Sequence, residues 1–217
     1  LSSLQRKWLA SHGALLRTYL LSATVTPECR TTPQNLFQSV GPWREFVNQR
    51  LRPEMIYYDH FFPFASDRDA AVRECAWHLP RPAIFYTTEV DEAKSLHNRL
   101  KHQEGFARVE CFHGETPPRE RRNLLERWRR DEIDLMVATS AFGLGVDKPD
   151  VRTIVHACFP EDLNRYYQEV GRGGRDGISS VCLLMPTRKD QEIAKGLAPK
   201  LMTSELLQER WVSLWNS

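Results

Sequence analysis

The segment YYQEVGRGGRDG, residues 166–177, places two arginines three positions apart among glycines. A guanidinium group stays charged and offers a planar fork of donors, which suits a polyphosphate whose charge spreads during phosphoryl transfer. The flanking glycines carry no side chains, so the backbone can approach a ligand and adopt positive dihedral angles. Arg172 and Arg175 are therefore candidate phosphate ligands. A flexible RGG-like segment that contacts nucleic acid nonspecifically, or a solvated turn, is the alternative interpretation.

A second glycine-containing loop follows a strand-like run in VATSAFGLGVDKPDV, residues 137–151. After Thr139, the glycines Gly143 and Gly145 allow backbone amides to approach phosphate oxygens. The carboxylate of Asp147 can accept hydrogen bonds from hydroxyls such as those of a ribose. A simple glycine turn between two strands explains the same residues, because a single glycine loop is weak evidence for a phosphate site.

Predicted strands and helices alternate regularly from residue 82 onward. The strands are apolar almost throughout, which is typical of an α/β protein whose parallel sheet is covered by helices on both faces. Ligands of such sheets collect at the carboxyl ends of the strands, so we expect the candidate residues, the glycine-arginine loop included, to meet at that edge. The predicted strands are 83–88, 107–113, 133–139, 152–158 and 181–185, and the predicted helices are 91–103, 117–130 and 164–170.

The residues before position 82 are less regular. Residues 1–24 predict a helix that leads into a strand ending in LLSAT, but prolines soon interrupt the pattern and no partner elements follow. This segment therefore looks like the tail of a domain whose body lies elsewhere. The other predicted elements are an irregular or helical connector at 33–50, a strand at 55–62, a helix at 66–79 and a helical tail of unknown role at 190–217.

Composition narrows the classes of partner. The 30 basic and 28 acidic residues leave a net charge of +2, so no global field points to nucleic acid or to a membrane. The longest apolar runs are far shorter than the roughly 20 residues that span a bilayer, and no secretion signal opens the sequence. The five cysteines are an odd number without a C-x-x-C pair, which disfavours a zinc or disulfide framework. We expect no metal site, no membrane partner and a reducing cytoplasmic location.

Five segments in a fixed order resemble a known family. They are similar to motifs III, IV, IVa, V and VI of superfamily 2 helicases, and the wording of AFGLGVDKP and YYQEVGRGGRDG resembles the RecQ branch. The stretch RPEMIYY resembles the opening of the second RecA-like domain in RecQ proteins. Within that branch, the narrower expectation is a DpdF-type helicase of a bacterial DNA-modification or defence system. The segments are LLSAT (20–24), AIFYTT (83–88), CFHGE (111–115), VATSAFGLGVDKPDVRTIVH (137–156) and YYQEVGRGGRDG (166–177).

The resemblance implies a RecA-like parallel sheet with helices on both faces, preceded by a fragment of a first RecA-like domain. It implies an ATP-dependent DNA helicase that couples ATP hydrolysis to translocation and strand separation, and that binds DNA as a single strand or duplex junction without sequence preference. The implied divisions are a first-domain fragment at 1–30, a connector and entry segment at 31–80, the second RecA-like domain at 81–190 and a helical tail at 191–217.

Roles for residues on the nucleotide side follow from the resemblance by position. Arg175 corresponds to the arginine finger, and Arg172 to a second contact with the γ-phosphate or with motifs across the cleft. Gln168 would report the state of the nucleotide. Gly145 and Asp147 would line the nucleotide side of motif V.

Other matched positions correspond to DNA contact and to coupling between domains. Thr87, Thr139 and Arg52 would hold the DNA backbone. The segment formed by Ser22, Ala23 and Thr24 would couple the two motor domains. His113 opens motif IVa. Two interpretations of it stay open: a histidine at the end of a strand that is satisfied by local hydrogen bonds, or a direct contact with DNA.

The sequence also departs from the family pattern. It contains no G-x-x-x-x-G-K-[ST] phosphate loop, and DEID at 131–134 precedes its strand instead of following it, so we interpret DEID as a helix-to-strand turn. ATP and Mg²⁺ are therefore expected to be held largely by a missing N-terminal motor domain. The four-cysteine zinc subdomain of many RecQ proteins is absent from these residues too.

The segment RERRNLLERWRR, residues 119–130, contains six arginines. A helix with Leu124, Leu125 and Trp128 turned inward would show most of the arginines to solvent, and either a solvated face or a DNA-contact stripe fits that pattern. We expect Trp128 to lie in the core.

Two rival functions stay open. An RNA helicase of the same superfamily would use the same parts, although its DEAD-box type normally begins the last motif with His-Arg, where this chain has Gln168 and Glu169. A RecA-like fold could also serve as a nucleic-acid-binding or assembly module without enzymatic activity.

Overall fold

The computed structural model describes residues 7, 19–21, 31, 33–35, 43–47, 51–143 and 147–197. The chain divides into two compact units, Leu1–Pro53 and Glu54–Ser217. In the first unit, Lys7, Thr31 and residues 33–35 are helical. Most of the helix and strand predicted for residues 1–24 lies outside the described residues.

The described part of the second unit contains a parallel α/β sheet. Its strands are β1 (Met55–Asp59), β2 (Ala83–Tyr86), β3 (Val109–Phe112), β4 (Leu135–Ala138), β5 (Thr153–His156) and β6 (Ser180–Leu184). They lie in the order β1-β6-β5-β2-β4-β3, and every neighbouring pair is parallel. Each strand predicted from residue 55 onward is present; most are trimmed by one to three residues at an end, and β6 begins one residue earlier than predicted. Residues 54–80, the last part of the predicted entry segment, supply an edge strand and a helix of this same unit.

Five α-helices flank the sheet in the described residues: α1 (Ala65–His78), α2 (Val90–Asn98), α3 (Pro118–Arg129), α4 (Leu163–Val170) and α5 (Arg188–Leu197). The helix predicted over 91–103 is present: α2 ends at Asn98, and a π-helical turn, Arg99–Gln103, continues it. No helix in the described ranges is long and apolar enough to cross a membrane.

Alternation along the central strands creates two cores, one on each face of the sheet. In β2, Ile84 and Tyr86 join the core that contains Trp128 of α3 and Val170 of α4. Their neighbours Ala83 and Phe85 join the opposite core with residues of α1 and α2. Strands β2, β4 and β5 are buried at every position, as expected of a sheet covered on both faces. The predicted fold class is confirmed.

A buried ion pair attaches α5 to α1. The Nη1 atom of Arg68 lies 2.8 Å from Oδ2 of Asp190 and also donates to the carbonyl oxygen of Ala157, just beyond β5, at 2.9 Å. Thr187, which precedes α5, donates its hydroxyl to the same carboxylate at 2.7 Å. The start of α5 is therefore fixed against the sheet by charge-assisted hydrogen bonds.

The glycine-arginine loop does not lie where the sequence placed it. The loop follows α4 and leads into β6, so it sits at the amino ends of the strands. There Gly174 donates its amide to Val151, just before β5, and Ser180 donates to Glu54, just before β1. The expectation that all candidate residues meet at the carboxyl edge was wrong, because a crossover helix returns the chain to the opposite edge.

Candidate functional site

The glycine-arginine loop is pressed against the sheet. Gly174 has a φ of +55°, in the left-handed region that glycine adopts without strain. A Cβ atom at Gly173 would lie 2.9 Å from Cβ of Ser180 and closer still to its Oγ, so no larger residue fits without a shift. These close contacts fix the backbone that carries Arg172 and Arg175.

A clamp between Arg152 and Asp176 closes the far end of the loop. The Nη1 atom of Arg152 donates to Oδ1 of Asp176 at 3.0 Å, and its Nη2 donates to Oδ2. The amide of Ile178 donates to the same carboxylate at 3.1 Å. Because Arg152 hydrogen-bonds to the ionised carboxylate, the pKa of Asp176 falls to about 2.

Arg175 contacts the residue that the sequence predicted to line the nucleotide side of motif V. Its Nη1 atom donates to Oδ1 of Asp147 at 2.7 Å, and its Nε donates to the carbonyl oxygen of Gly171 at 3.1 Å. Asp147 is 80% exposed and the Arg175 side chain 36%. The predicted finger and the predicted ribose-side carboxylate are thus neighbours at an open surface.

Arg172 lies deeper than Arg175. Its Nη2 atom would be 3.1 Å from a Cβ atom at Gly143, so the glycine leaves the space that the guanidinium occupies. Burial raises the pKa of Tyr86 above its ordinary range, and the positive charge of Arg172 offsets part of that rise. The Arg172 Nε is buried and has no hydrogen-bond partner among the described residues, and such a donor is suited to an added acceptor. Gly145 lies outside the described residues.

The loop that carries Gly143 is held against the face of the sheet covered by α3 and α4. Phe142 is fully buried and packs against Phe112 and Trp128 with ring centroids 5.0 and 6.0 Å apart. Beyond the gap, Lys148 forms ion pairs with Asp131 and Asp150. The described residues on both sides of the gap are therefore anchored, and Gly143 lies next to Arg172.

The sequence did not single out the buried polar group under Arg172. His156 is fully buried, and its Nε2 lies 2.8 Å from Oε2 of Glu169. The His156 ring stacks on Tyr86 at 5.1 Å, and the carbonyl of Glu169 accepts from the Arg172 amide at 3.2 Å. The only signal for this group was a histidine at the end of an apolar strand and an acidic residue on the inner face of a helix.

Two predicted DNA contacts lie side by side at the carboxyl edge. Thr87 follows β2 and Thr139 follows β4, and these strands pair directly. Both residues are 5% exposed, and Thr87 donates its hydroxyl to the carbonyl oxygen of Glu89 at 3.2 Å. The amide of Thr139 donates to Phe112. The two threonines thus follow the carboxyl ends of their strands, whereas the arginine loop leads into the amino end of β6.

His113 also lies at the carboxyl edge. Its amide donates to the Thr116 hydroxyl at 3.0 Å, and its carbonyl accepts from the Thr116 amide at 3.1 Å. Its ring Nδ1 is buried without a hydrogen-bond partner among the described residues. The backbone groups of this turn therefore make local hydrogen bonds, whereas the ring Nδ1 makes none among the described residues.

The remaining predicted site residues are dispersed. Gln168 is exposed on α4, and Arg52 is half-buried in the first unit. Ser22, Ala23 and Thr24 lie outside the described residues.

The arginine-rich helix is α3. Trp128 is fully buried, as predicted, and four of the six arginines are exposed. The partly buried Arg127 pairs with Glu110 at 3.0 Å, and Arg121 lies over the Phe112 ring at 5.7 Å. The prediction that most of these arginines face solvent is confirmed. DEID forms the predicted helix-to-strand turn.

The fold and the arginine loop define a RecA-like domain of the helicase class. A solved structure of Saccharomyces cerevisiae Dbp5 bound to RNA and ADP BeF3 has the same fold, with a TM-score of 0.66 and 21% identity over 82% of this chain and 46% of that chain. The family model for the helicase conserved C-terminal domain matches residues 68–177. The chain belongs to this family.

Sequence relatives place the domain in the RecQ-like branch of superfamily 2. The ATP-dependent DNA helicase RecQ of Bacillus subtilis is 43% identical over 49% of this chain, and the RecQ-like DNA helicase blm-1 of Caenorhabditis elegans is 41% identical over 88%. The aligned regions cover 18% and 19% of those relatives, respectively. The chain thus spans less than a fifth of either relative. The narrower DpdF-type expectation stays a prediction.

Proposed function

We propose that the second unit is the C-terminal motor domain of an ATP-dependent RecQ-like DNA helicase. In this proposal it completes a nucleotide site whose other wall belongs to an N-terminal motor domain outside these residues. The observation that carries the proposal is the cluster of Arg172, Arg175, Gly143 and Asp147, in which two guanidinium groups converge on the motif V loop. The relatives' descriptions as ATP-dependent DNA helicases support it.

The cluster fits a polyphosphate. The buried Nε of Arg172 lacks an acceptor among the described residues, and a Cβ atom at Gly143 would lie 3.1 Å from Nη2 of Arg172, so the glycine lets the guanidinium lie against the loop. Arg172 and Arg175 would therefore contact the phosphates, while Asp147 and Gly145 would line the nucleotide side and Gln168 would report its state. Bound ATP supplies the free energy of phosphoryl transfer. The described residues contain no group of metal-ligating side chains that could hold an ion, and we assign Mg²⁺ to the N-terminal motor domain.

The ion pair between Arg175 and Asp147 suggests how the finger is held before ATP arrives. The carboxylate occupies part of the donor fork that a γ-phosphate would use, and both charges are solvated enough to exchange partners. A γ-phosphate carries more negative charge than a carboxylate, so it competes well with Asp147 for the planar guanidinium. We infer that closure of the cleft transfers Arg175 from Asp147 to the nucleotide.

The DNA side of the proposal lies at the carboxyl edge. Thr87 and Thr139 would contact the phosphodiester backbone there, and Arg52 of the first unit is a further proposed backbone contact. Such contacts carry no base readout. The segment of Ser22, Ala23 and Thr24 would couple the motor domains. The division into 1–30, 31–80, 81–190 and 191–217 belongs to the same proposal.

Arg175→Ala in the full-length polypeptide that contains this chain tests the finger. We expect DNA-stimulated ATP hydrolysis to fall by about 10³-fold or more, as for other arginine fingers, while DNA affinity changes little. Arg122→Ala, which removes an exposed arginine on α3, is the matched control and should keep wild-type turnover. Unchanged turnover in Arg175→Ala would refute the finger assignment.

A second measurement decides between DNA and RNA. Hydrolysis by the full-length polypeptide is compared with single-stranded DNA and with RNA of the same sequence. We expect the larger stimulation with DNA, because the sequence relatives are described as DNA helicases. Stimulation by RNA alone would favour the RNA helicase, and no stimulation by either would favour the non-enzymatic module.

A further inference from the structure

We propose that Lys148 is a positioning residue that holds the segment 147–151 and, through it, the arginine finger Arg175. The inference rests on the proposed function, in which Arg175 contacts the γ-phosphate. Lys148 directly follows Asp147, the ion-pair partner of Arg175. Its ammonium group fastens the segment to the end of α3, so the position of the finger depends on a buried residue that has no assigned contact with ATP or DNA.

The ammonium group of Lys148 is buried between two carboxylates and an indole ring. The side chain is 4% exposed, and its Nζ atom lies 3.0 Å from Oδ1 of Asp150. The same atom forms a second ion pair with Asp131. It also lies 5.7 Å from the ring centroid of Trp128, which is within the range of a cation–π contact. Because a buried charge is costly to leave unpaired, these contacts hold Lys148 in one position.

Asp131 occupies a backbone position that favours glycine. It lies two residues after the end of α3 with a φ of +58°, and the next amide, that of Glu132, donates to the carbonyl oxygen of Arg127 at 3.0 Å. Helix ends of this form usually carry glycine in the left-handed position, because a side chain is less favourable there. The carboxylate of Asp131 accepts from Lys148. The ion pair, rather than the turn, therefore explains the residue type at this position.

The segment 147–151 is bonded to the arginine loop at three points. These bonds run from the Arg175 guanidinium to Asp147 at 2.7 Å, from the Asp176 amide to the carbonyl oxygen of Pro149 at 3.2 Å, and from the Gly174 amide to the carbonyl oxygen of Val151 at 2.9 Å. The two amides belong to the residues on either side of Arg175 in the chain. A shift of the segment would therefore move the backbone of the finger as well as its carboxylate partner. Lys148 links both loops to the end of α3.

Amide hydrogen exchange in the 217-residue chain, followed by nuclear magnetic resonance, tests the anchoring directly. Lys148→Met removes the charge but keeps an apolar stem that can pack against Trp128. We expect the amides of Gly174 and Asp176 to exchange about tenfold faster, as the loss of a hydrogen bond to a charged group predicts, with little change in the unfolding temperature. Unchanged exchange at both amides would overturn the inference. Equal acceleration at every amide of the sheet would overturn it too, because Lys148 would then be a general stabiliser.

Glu132→Gln is the matched control, because Glu132 lies in the same turn as Asp131 and pairs instead with Arg127 at 3.6 Å. It should leave both exchange rates within about twofold of the wild type. A second variant, Asp131→Asn combined with Asp150→Asn, guards against a folding defect in Lys148→Met. It removes both acceptors and keeps Lys148, and asparagine tolerates the positive φ at position 131. We expect the same acceleration, and wild-type exchange in this variant would contradict the role of the ion pairs.

Kinetics on the full-length polypeptide test the consequence for the finger. We expect Lys148→Met to lower DNA-stimulated kcat about tenfold, with KM for ATP and DNA affinity within about twofold, because the finger acts in the transition state. Glu132→Gln should keep wild-type kcat. Adding Lys148→Met to Arg175→Ala should lower kcat no further, since changes that act through one residue are not additive. An equal fall in that background would overturn the positioning role, whereas a wild-type protein without DNA-stimulated hydrolysis would instead refute the proposed function.

Discussion

Replacing Gly173 with alanine tests whether the glycine-arginine loop is locked against the sheet. The new Cβ would stand 2.9 Å from Cβ of Ser180, closer still to its Oγ, and 3.2 Å from Cε of Met55. The Met55 end can swing away, but the Ser180 Cβ is fixed to the backbone of β6 and can move only with the strand. Overpacking costs about 1–3 kcal/mol, and because the close atom is held by the backbone we expect about 2–3 kcal/mol here.

Thermal and denaturant unfolding measure this cost. For a unit of this size, that loss corresponds to a fall in Tm of about 4–12 °C. Gly114→Ala is the control, because a Cβ there meets nothing within 4 Å and should change stability little. Adding Ser180→Gly to Gly173→Ala removes the obstructing side chain and should recover part of the loss. If Gly173→Ala unfolds at the same temperature as Gly114→Ala, the loop is not packed as described.

Two further predictions concern charged pairs. Because Arg152 holds the pKa of Asp176 at about 2, below the value of about 3.9 in an unfolded chain, this carboxylate stabilises the fold above pH about 4, and the stabilisation is lost as the pH falls towards about 2. Asp176→Asn should therefore flatten the pH dependence of the unfolding free energy in that window, measured by denaturant titration; an unaltered profile would contradict the clamp. The Arg68 and Asp190 side chains are 10% and 2% exposed, so Asp190→Ala leaves the buried Arg68 with only the longer 3.6 Å ion pair to Asp69 and should cost up to about 3–5 kcal/mol. Arg68→Met combined with Asp190→Leu should cost less, and a double variant weaker than the single one would refute the desolvation argument.

Much of the fold follows from patterns that are local in the chain. The apolar runs 83–86 and 135–138 and the strand-like segment 153–156 alternate with helical patterns, which is typical of a parallel sheet covered on both faces, so their spacing indicates the class of fold. That Arg175 and Asp147 lie close together was predictable, because both residues, each in a glycine loop, were assigned to the same nucleotide. The ion pair itself was not predicted. Trp128 was predictable as core from its position on the inner face of a helix.

Other features depend on contacts between distant residues. The sheet order places β6 between β1 and β5, and no local pattern specifies which strands become neighbours. The edge of the arginine loop, by contrast, follows from chain direction, because a loop that leads from a helix into a parallel strand lies at the amino edge. The cluster of Tyr86, His156 and Glu169 was not predicted, because local patterns do not show which strands become neighbours. Each residue is ordinary in its own element, and only the pairing of β2 with β5 brings Tyr86 beside His156.

The position of β1 has a consequence for how the protein is made. Among the described residues β1 pairs only with β6, the last strand that the structure describes, with Met55 paired to Ser180. While the ribosome is still adding the intervening residues, the backbone groups of β1 have no ladder partner, and the half-exposed Ile56 and Tyr58 offer a second chain an apolar template. Contacts so distant along the chain form late. Nascent chains that stall before β6 therefore present an open edge strand, a feature that favours mispairing between molecules.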